Sequence, residues 1–216
     1  MPASTTQPAK TNLRRAGVFA GILAGPFFLV SVGLNTWASH SYLHQLGWEF
    51  VGGQQVPWSS SLARGPHGWA QTATFVITGL LIVIFAVAVR DQLPRRRASS
   101  FAVVLLTLLG VALILAAFRV DMPMLSGGTP ATWNGWVHGI AFLLIIATGV
   151  LAPLTMALAV RGDPSWRPIA VVSVAATALF IVFLILPWGK ATFLLAIVTL
   201  FGRIAAVAAR LATHHP

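Results

Sequence analysis

Long apolar runs separated by short polar connections set the pattern of this chain. The runs lie at about residues 16–36, 69–89, 101–118, 136–160, 168–187 and 190–212. A spanning α-helix needs about 20 residues to cross about 30 Å of hydrocarbon, and all six runs are near that length. Because the runs are continuously apolar rather than alternating, helices are favoured over the strands of a barrel. The pattern predicts an all-α, polytopic membrane protein, a single six-helix bundle over residues 16–212.

The segments outside the runs are polar. Residues 1–15 are expected to form a flexible basic tail, and residues 213–216 a short C-terminal tail. The longest connection, residues 37–68, is rich in Trp, Gly, Ser, Gln, Pro and His. The first run exceeds the ~7–15 residues of a signal-peptide core, so we interpret it as a spanning helix.

Composition agrees with a membrane location. The chain is 57% hydrophobic and only 8% charged, whereas a soluble domain carries about 25% charged residues. It has no cysteine, which excludes disulfides, thiolate catalysis and Cys-ligated metal or iron–sulfur sites. The net charge of +10 does not indicate nucleic-acid binding, because the basic residues flank apolar runs.

The distribution of basic residues predicts the orientation. Six spans put both termini on one side, and that side carries 11 of the 14 Lys and Arg residues. They are Lys10, Arg14, Arg15, Arg90, Arg95, Arg96, Arg97, Arg161, Arg167, Arg203 and Arg210. The positive-inside rule then places both termini in the cytoplasm of a plasma-membrane protein, with residues 37–68 outside. Seven of the eight Trp residues fall on the outer side, typical of an interfacial belt, and Trp58 and Trp69 are expected to anchor the long connection there.

His138 is the most informative candidate for chemistry. It lies in the first turns of the fourth run, in "WNGWVHG", where a titratable group is costly unless it has a partner or meets water. Asp121, just past the third run, is the expected partner. Three interpretations stay open: a structural hydrogen bond between two outer ends, a carboxylate that orients a metal-binding imidazole, and a general acid–base pair.

Three further histidines fall in the long outer connection. His40 and His44 are four residues apart and share a face if the segment is helical, a spacing that suits metal ligands. Together with His67 they are candidates to complete a zinc site at His138, and a haem held by His138 and a loop histidine is also open.

Arg203 is the one basic residue well inside an apolar run. Counted from Ala191, it lies about 18 Å into the bilayer from the outer side. No acidic residue is expected at that depth, so the favoured prediction is that the side chain snorkels to the cytoplasmic surface or binds a lipid head group there. The alternative is that it pairs with backbone carbonyls or polar groups inside the bundle.

Small residues repeat along the first run. Gly17, Gly21 and Gly25 have four-residue spacing and therefore line one helix face, where two helix backbones can approach closely. Packing within the bundle is the favoured interpretation, and a homo-oligomer through this face is the alternative.

Several motifs together resemble a known family. "PWSSSLARGPHGWAQTATF", "FRVDMP", "WNGWVHGIAF" and "GRIAAV" follow one another from the first span to the last. In this order they resemble the bacterial and archaeal membrane family called domain of unknown function 998. The residues that carry the resemblance are Pro57, Trp58, Gly68, Trp69, Gly79, Asp121, His138 and Arg203.

The resemblance implies a fold and a location more than an activity. Members of the family have about six spans and no established activity, and their layout is similar to that of six-span eukaryotic proteins linked to lipid and lipid-anchor remodelling. The family often has Asp-Pro after the third span. Here Met122 separates Asp121 from Pro123, which departs from that turn.

Three functions remain open from the sequence. The preferred one is a membrane protein whose outer loops form a cap that binds lipid or a small ligand. The second is an outward-facing, metal-dependent lipid hydrolase or transferase centred on His138 and Asp121. The third, a small-molecule transporter, is disfavoured because the runs offer few polar groups to line a pathway.

Overall fold

The structure is a computed structural model, and it describes residues 6–49, 58–94, 96–186 and 190–213. The remaining parts of the predicted tails, residues 1–5 and 214–216, lie outside the described residues, as do residues 50–57 of the long connection, including Pro57. The helices are α1 (Thr6–Ala38), α2 (His40–Gln45), α3 (Trp58–Ser61), α4 (Gly68–Arg90), α5 (Arg97–Leu115), α6 (Met122–Leu125), α7 (Trp133–Val160), α8 (Arg167–Ile185) and α9 (Lys190–Thr213). Short 3₁₀ turns occupy Leu62–Arg64 and Pro164–Trp166.

Six of these helices are long and apolar enough to cross a membrane: α1, α4, α5, α7, α8 and α9. They correspond to the six predicted runs, so the prediction of an all-α, multi-pass membrane protein is confirmed for the described residues. In the ring that they form, each long helix packs against its neighbours in sequence, and α9 closes the ring against α1. The short connections after α4, α7 and α8 favour antiparallel packing of the helices that they join.

The first helix begins earlier than the hydrophobic run indicates. α1 starts at Thr6, so residues 6–15 of the predicted flexible tail continue the first span as helix. Arg14 explains part of this, because its guanidinium donates to the carbonyl oxygen of Leu211 at 2.6 Å and 3.1 Å. This contact also places the first and last helices side by side at the same end of the bundle. We call this the termini end, and the opposite end the His138 end.

The glycine face of α1 packs inside the chain. A Cβ atom on Gly21 would lie 2.7 Å from both the Ala208 Cβ and the Phe85 ring. Gly17 meets Ala88 in the same way. The face is therefore covered by α4 and α9, as the favoured interpretation requires, and self-association through it would have to compete with these contacts.

A second close approach joins α4 to α5. A Cβ on Gly79 would lie 2.4 Å from the carbonyl oxygen of Gly110, and a Cβ on Gly110 would lie 2.7 Å from the carbonyl oxygen of Gly79. Only glycine lets two backbones come this near, and lipid-facing helices gain their association energy from such packing rather than from the hydrophobic effect.

Candidate functional site

The segment Trp58–Arg64 lies across the His138 end and is hydrogen-bonded to three different parts of the bundle. The Trp58 indole N–H donates to the Thr36 hydroxyl of α1 at 2.9 Å. The Ser60 hydroxyl lies 2.9 Å from His138 Nε2 of α7. Arg64 donates to the carbonyl oxygen of Val120 at 3.0 Å. These bonds join the segment to α1, to α7 and to the connection that follows α5.

His138 is buried, and both of its ring nitrogens are bonded. Nδ1 lies 3.0 Å from the carbonyl oxygen of Ala116 and 2.8 Å from that of Phe118. Carbonyl oxygens only accept, so Nδ1 carries the proton, and in the neutral ring Nε2 accepts from the Ser60 hydroxyl. The two carbonyls lie just past the C-terminus of α5, where helix geometry leaves acceptors without partners. His138 thus donates to the free carbonyl oxygens at the C-terminus of α5 and accepts a hydrogen bond from Ser60.

Asp121 has different partners from those the sequence suggests. Its Oδ2 accepts from the backbone N–H groups of Ala131 at 2.8 Å and Thr132 at 2.7 Å, and its Oδ1 accepts from the Thr132 hydroxyl at 2.7 Å. Thr132 in turn caps α7 by accepting from the Gly135 N–H at 3.3 Å. Asp121 and His138 therefore do not bond to each other as expected. Asp121 bonds to the residues that begin α7, and His138 bonds to the carbonyl oxygens after α5 and to Ser60.

Hydrogen bonding also determines the charge state of Asp121. The Thr132 hydroxyl is the largest influence that lowers the pKa of this carboxyl below its usual range, followed by the Thr132 backbone N–H. Burial opposes the shift, and the Ala131 N–H and Arg64 add to it. The group is held as a carboxylate that accepts hydrogen bonds, which suits a structural role rather than proton donation.

The histidines of the long connection do not converge on His138 as a metal site. Within the described residues, which include all four candidates, no group of three or more His, Cys, Asp or Glu side chains is placed to hold a metal ion. The His40 and His44 rings stack on each other, and His44 Nδ1 bonds to Glu49. His67 precedes α4 and lines a separate surface groove. His40 and His44 remain together on α2, whereas His67 precedes α4 and His138 lies in α7.

A pair of tryptophans connects the two parts of the long connection. The Trp48 and Trp58 rings stack with centroids 5.8 Å apart. The Lys190 ammonium at the start of α9 lies 5.0 Å from the Trp48 ring centroid and donates to the carbonyl oxygen of Glu49. Trp48 is fully buried, whereas the predicted interfacial anchor Trp69 is 73% exposed and is free to meet lipid or head groups.

An apolar groove opens beside this segment, between α1 and α9. Its volume is about 510 Å³, within the range of small-molecule sites. Val32 and Gly33 of α1 and Ile197 of α9 line its length, and Trp58 and His40 lie at its His138 end. A smaller groove of about 390 Å³ flanks the other side of α1, where His67 and Trp69 line it.

Arg203 is placed differently from the favoured prediction. The side chain is 2% exposed and does not snorkel to the membrane surface. Its helix face is turned into the bundle, because α9 packs against both α1 and α8. A side chain that snorkels must lie on a lipid-facing stripe, and this one does not.

Sequence reasoning missed Ser60 and Thr132. Ser60 lies in a run of three serines with no local feature that distinguishes it, and its partner is 78 residues away. Thr132 directly precedes α7, and its hydroxyl oxygen accepts the cap bond from the backbone N–H of Gly135, three residues on. A Thr before an apolar run is a recognisable helix-start signal, so the capping role of Thr132 could have been predicted from the sequence.

Comparison with known proteins assigns the chain to a family. No curated protein matches the chain, and no solved structure does. A family model does match, over residues 58–212, and its span includes Ser60, Asp121, His138 and Arg203. Because the match covers well over half of the 216 residues, the chain belongs to the family described as protein of unknown function (DUF998).

Proposed function

We propose that the protein binds a membrane lipid at its His138 end, with an acyl chain in the groove between α1 and α9. The observation that carries the proposal is the groove itself, about 510 Å³ in volume, with Trp58 among its lining residues. Trp58 is held there by its hydrogen bond to Thr36 and by its stacking on Trp48. A lining side chain that is fixed in this way gives the groove a defined shape, which favours one ligand over passing bilayer lipid.

The chemistry of the lining supports a lipid rather than a polar solute. Val32, Ile197 and Leu194 present only hydrocarbon along the groove, and the polar groups lie at its His138 end. There the His40 imidazole is exposed and Trp37 is 82% exposed. An amphipathic ligand fits this arrangement, with its tail along the helices and its head group near His40, since Trp and His rings suit the lipid–water boundary.

The leaflet follows from the charge distribution. Eight basic residues described by the structure belong to the helix ends and connections of the termini end: Arg14, Arg15, Arg90, Arg96, Arg97, Arg161, Arg167 and Arg210. Only Arg64, Arg119 and Lys190 of the described residues belong to the opposite end, so the positive-inside rule favours a cytoplasmic termini end and an outward-facing His138 end in the plasma membrane. The bound lipid would then belong to the outer leaflet, and residues 58–64 would act as an external cap over it.

A groove-filling variant tests the proposal. Gly33 lines the groove, and a Cβ added there meets no atom within 4 Å, so Gly33→Phe fills the groove without disturbing the backbone. Gly202 of α9 is the matched control, because its Cβ also meets nothing within 4 Å and it does not line the groove. We expect native mass spectrometry to show one retained lipid in the wild type and in Gly202→Phe, and none in Gly33→Phe. Equal lipid retention by all three proteins would refute the proposal.

A second function is favoured by the contact between Ser60 and His138. A hydroxyl that donates to an imidazole nitrogen at 2.9 Å is the arrangement of an activated nucleophile, and the other ring nitrogen is oriented by two carbonyls. Ser60 is only half-buried, which leaves it within reach of a substrate. The function would be hydrolysis or transfer of an acyl group from a lipid ester, without a metal.

The reaction would proceed in two balanced steps. The Ser60 oxygen would attack the ester carbonyl while its proton passes to His138 Nε2, and that proton would then pass to the departing alcohol, which leaves an acyl-serine. Water would release the acid with the same residue as base. A fluorophosphonate probe should then label the wild type and Ser61→Ala but not Ser60→Ala. Absence of labelling in the wild type would reject this second function and leave lipid binding untouched.

A further inference from the structure

The most unusual group in the protein is the guanidinium of Arg203. Arg203 lies 13 residues from the start of α9 and 10 residues from its end, so about 20 Å and about 15 Å of helix separate it from the two ends. The side chain is buried, and none of its three nitrogens has a hydrogen-bond partner among the described residues. Arginine keeps its proton in proteins, and a buried cation without a partner is costly.

The chain has no acidic residue that could neutralise this cation. Its four carboxylates belong to Glu49, Asp91, Asp121 and Asp163, and all four lie outside the six candidate spans. Arg203 is well inside the last of these spans. A counter-charge at this depth must therefore come from a molecule other than this chain.

A second buried donor without a partner lies on α8, the helix that packs against α9. Ser173 is fully buried, and its hydroxyl also lacks a hydrogen-bond partner among the described residues. It lies 12 residues before the end of α8, and Arg203 lies 13 residues after the start of α9. Because α8 and α9 are consecutive and pack against each other, these nearly equal offsets place the two residues at about the same depth.

The helical phase of α9 directs Arg203 toward α8. A Cβ on Gly25 of α1 would touch Phe201, which identifies the α1-facing side of α9. Two residues correspond to about 200° of rotation, so Arg203 lies on the opposite side from Phe201. Ser173 belongs to the buried stripe of α8 with Ile169 and Thr177. A cation on the α8 side of α9 and a hydroxyl donor on the buried stripe of α8 thus lie at about the same depth, and neither has an acceptor among the described residues.

We propose that Arg203 and Ser173 form an anion site for a phosphate-type oxyanion. A guanidinium offers a planar fork of donors that matches phosphate oxygens, and a serine hydroxyl adds a further donor. The oxyanion is either the phosphodiester of a lipid head group or free phosphate that enters from the termini end. This site lies on the α8 side of α9 and is separate from the groove between α1 and α9.

Thermal unfolding in an uncharged detergent tests the site with two probes. One probe is inorganic phosphate, compared with chloride at equal ionic strength. The other is dihexanoyl phosphatidic acid, compared with dihexanoylglycerol. We expect one or both phosphate compounds to raise the Tm of the wild type. A rise with the lipid alone identifies a head group as the ligand, and a rise with inorganic phosphate alone identifies a free anion.

Substitutions distinguish an anion-binding arginine from one with a purely structural role. Arg203→Met should abolish the response to phosphate and raise the ligand-free Tm by about 2–4 °C, because an unpaired buried charge is removed. Ser173→Ala should weaken the response without lowering the ligand-free Tm. Arg167→Met removes an exposed cation from α8 and should keep the full response.

Two results would overturn the proposal. One is a wild type that responds to neither phosphate compound. The other is a lower ligand-free Tm, or a failure to fold, in Arg203→Met, because that would mean the guanidinium is already paired. Arg203→Lys keeps the charge but loses the fork, so a response as large as that of the wild type would count against the proposal as well.

Discussion

Replacement of His138 by alanine is expected to loosen the whole His138 end. The change removes the donor to the carbonyl oxygens of Ala116 and Phe118, at 3.0 and 2.8 Å, and the partner of the Ser60 hydroxyl, at 2.9 Å. A buried polar group left without a partner costs about 1–3 kcal/mol. Ala116 is buried, whereas Phe118 and Ser60 are partly accessible to water, so we expect a total of about 2–5 kcal/mol.

Two further variants separate the halves of this contact. His138→Asn places a side-chain N–H near the former Nδ1 and should keep the carbonyl bonds, whereas His138→Gln reaches toward Ser60 and should lose them. Unfolding in detergent should rank the proteins wild type, Asn, Gln and Ala in order of falling stability. Hydrogen exchange should also accelerate in residues 58–64 of His138→Ala. Equal stability of His138→Asn and His138→Ala would refute the argument that the α5 carbonyls determine the role of His138.

Three further predictions concern the packing, the acid response and the orientation. Gly79→Ala should destabilise the bundle by about 1–3 kcal/mol, because its Cβ would lie 2.4 Å from a backbone oxygen of α5, whereas Gly202→Ala, with nothing within 4 Å, should be neutral in the same unfolding assay. Because the pKa of Asp121 is lowered in the folded protein, its contribution to folding stability is complete above the unfolded-state pKa and is lost as pH falls through the folded-state pKa. Asp121→Asn should therefore reduce the loss of stability that the wild type shows below about pH 4. Since the chain has no cysteine, Ser126→Cys should react with an impermeant maleimide on intact cells and Ser100→Cys should not; the reverse result would invert the orientation.

The number of spans and their places were predictable because each is decided locally. An apolar run of about 20 residues is sufficient to define a spanning helix, whatever it packs against. The glycine face of α1 was predictable for the same reason, since four-residue spacing puts Gly17, Gly21 and Gly25 on one face. Even here the sequence did not identify the partners: α4 and α9, which supply Ala88, Phe85 and Ala208, were revealed only by the packed helices.

The partners of polar side chains were not predictable, because hydrogen bonds form between groups that are distant in sequence. Asp121 and His138 were expected to bond to each other, but each bonds to other groups, and Ser60 was not recognised at all. The burial of Arg203 was not the favoured prediction, for a related reason. Counting residues along an apolar run gives the depth of a side chain in the membrane. Burial depends instead on whether its helix face turns toward lipid or toward the other helices. The apolar runs thus determined the membrane fold by themselves, and only the packing of α8 and α9 around Arg203, and of residues 58–64 onto His138, decided where chemistry is available.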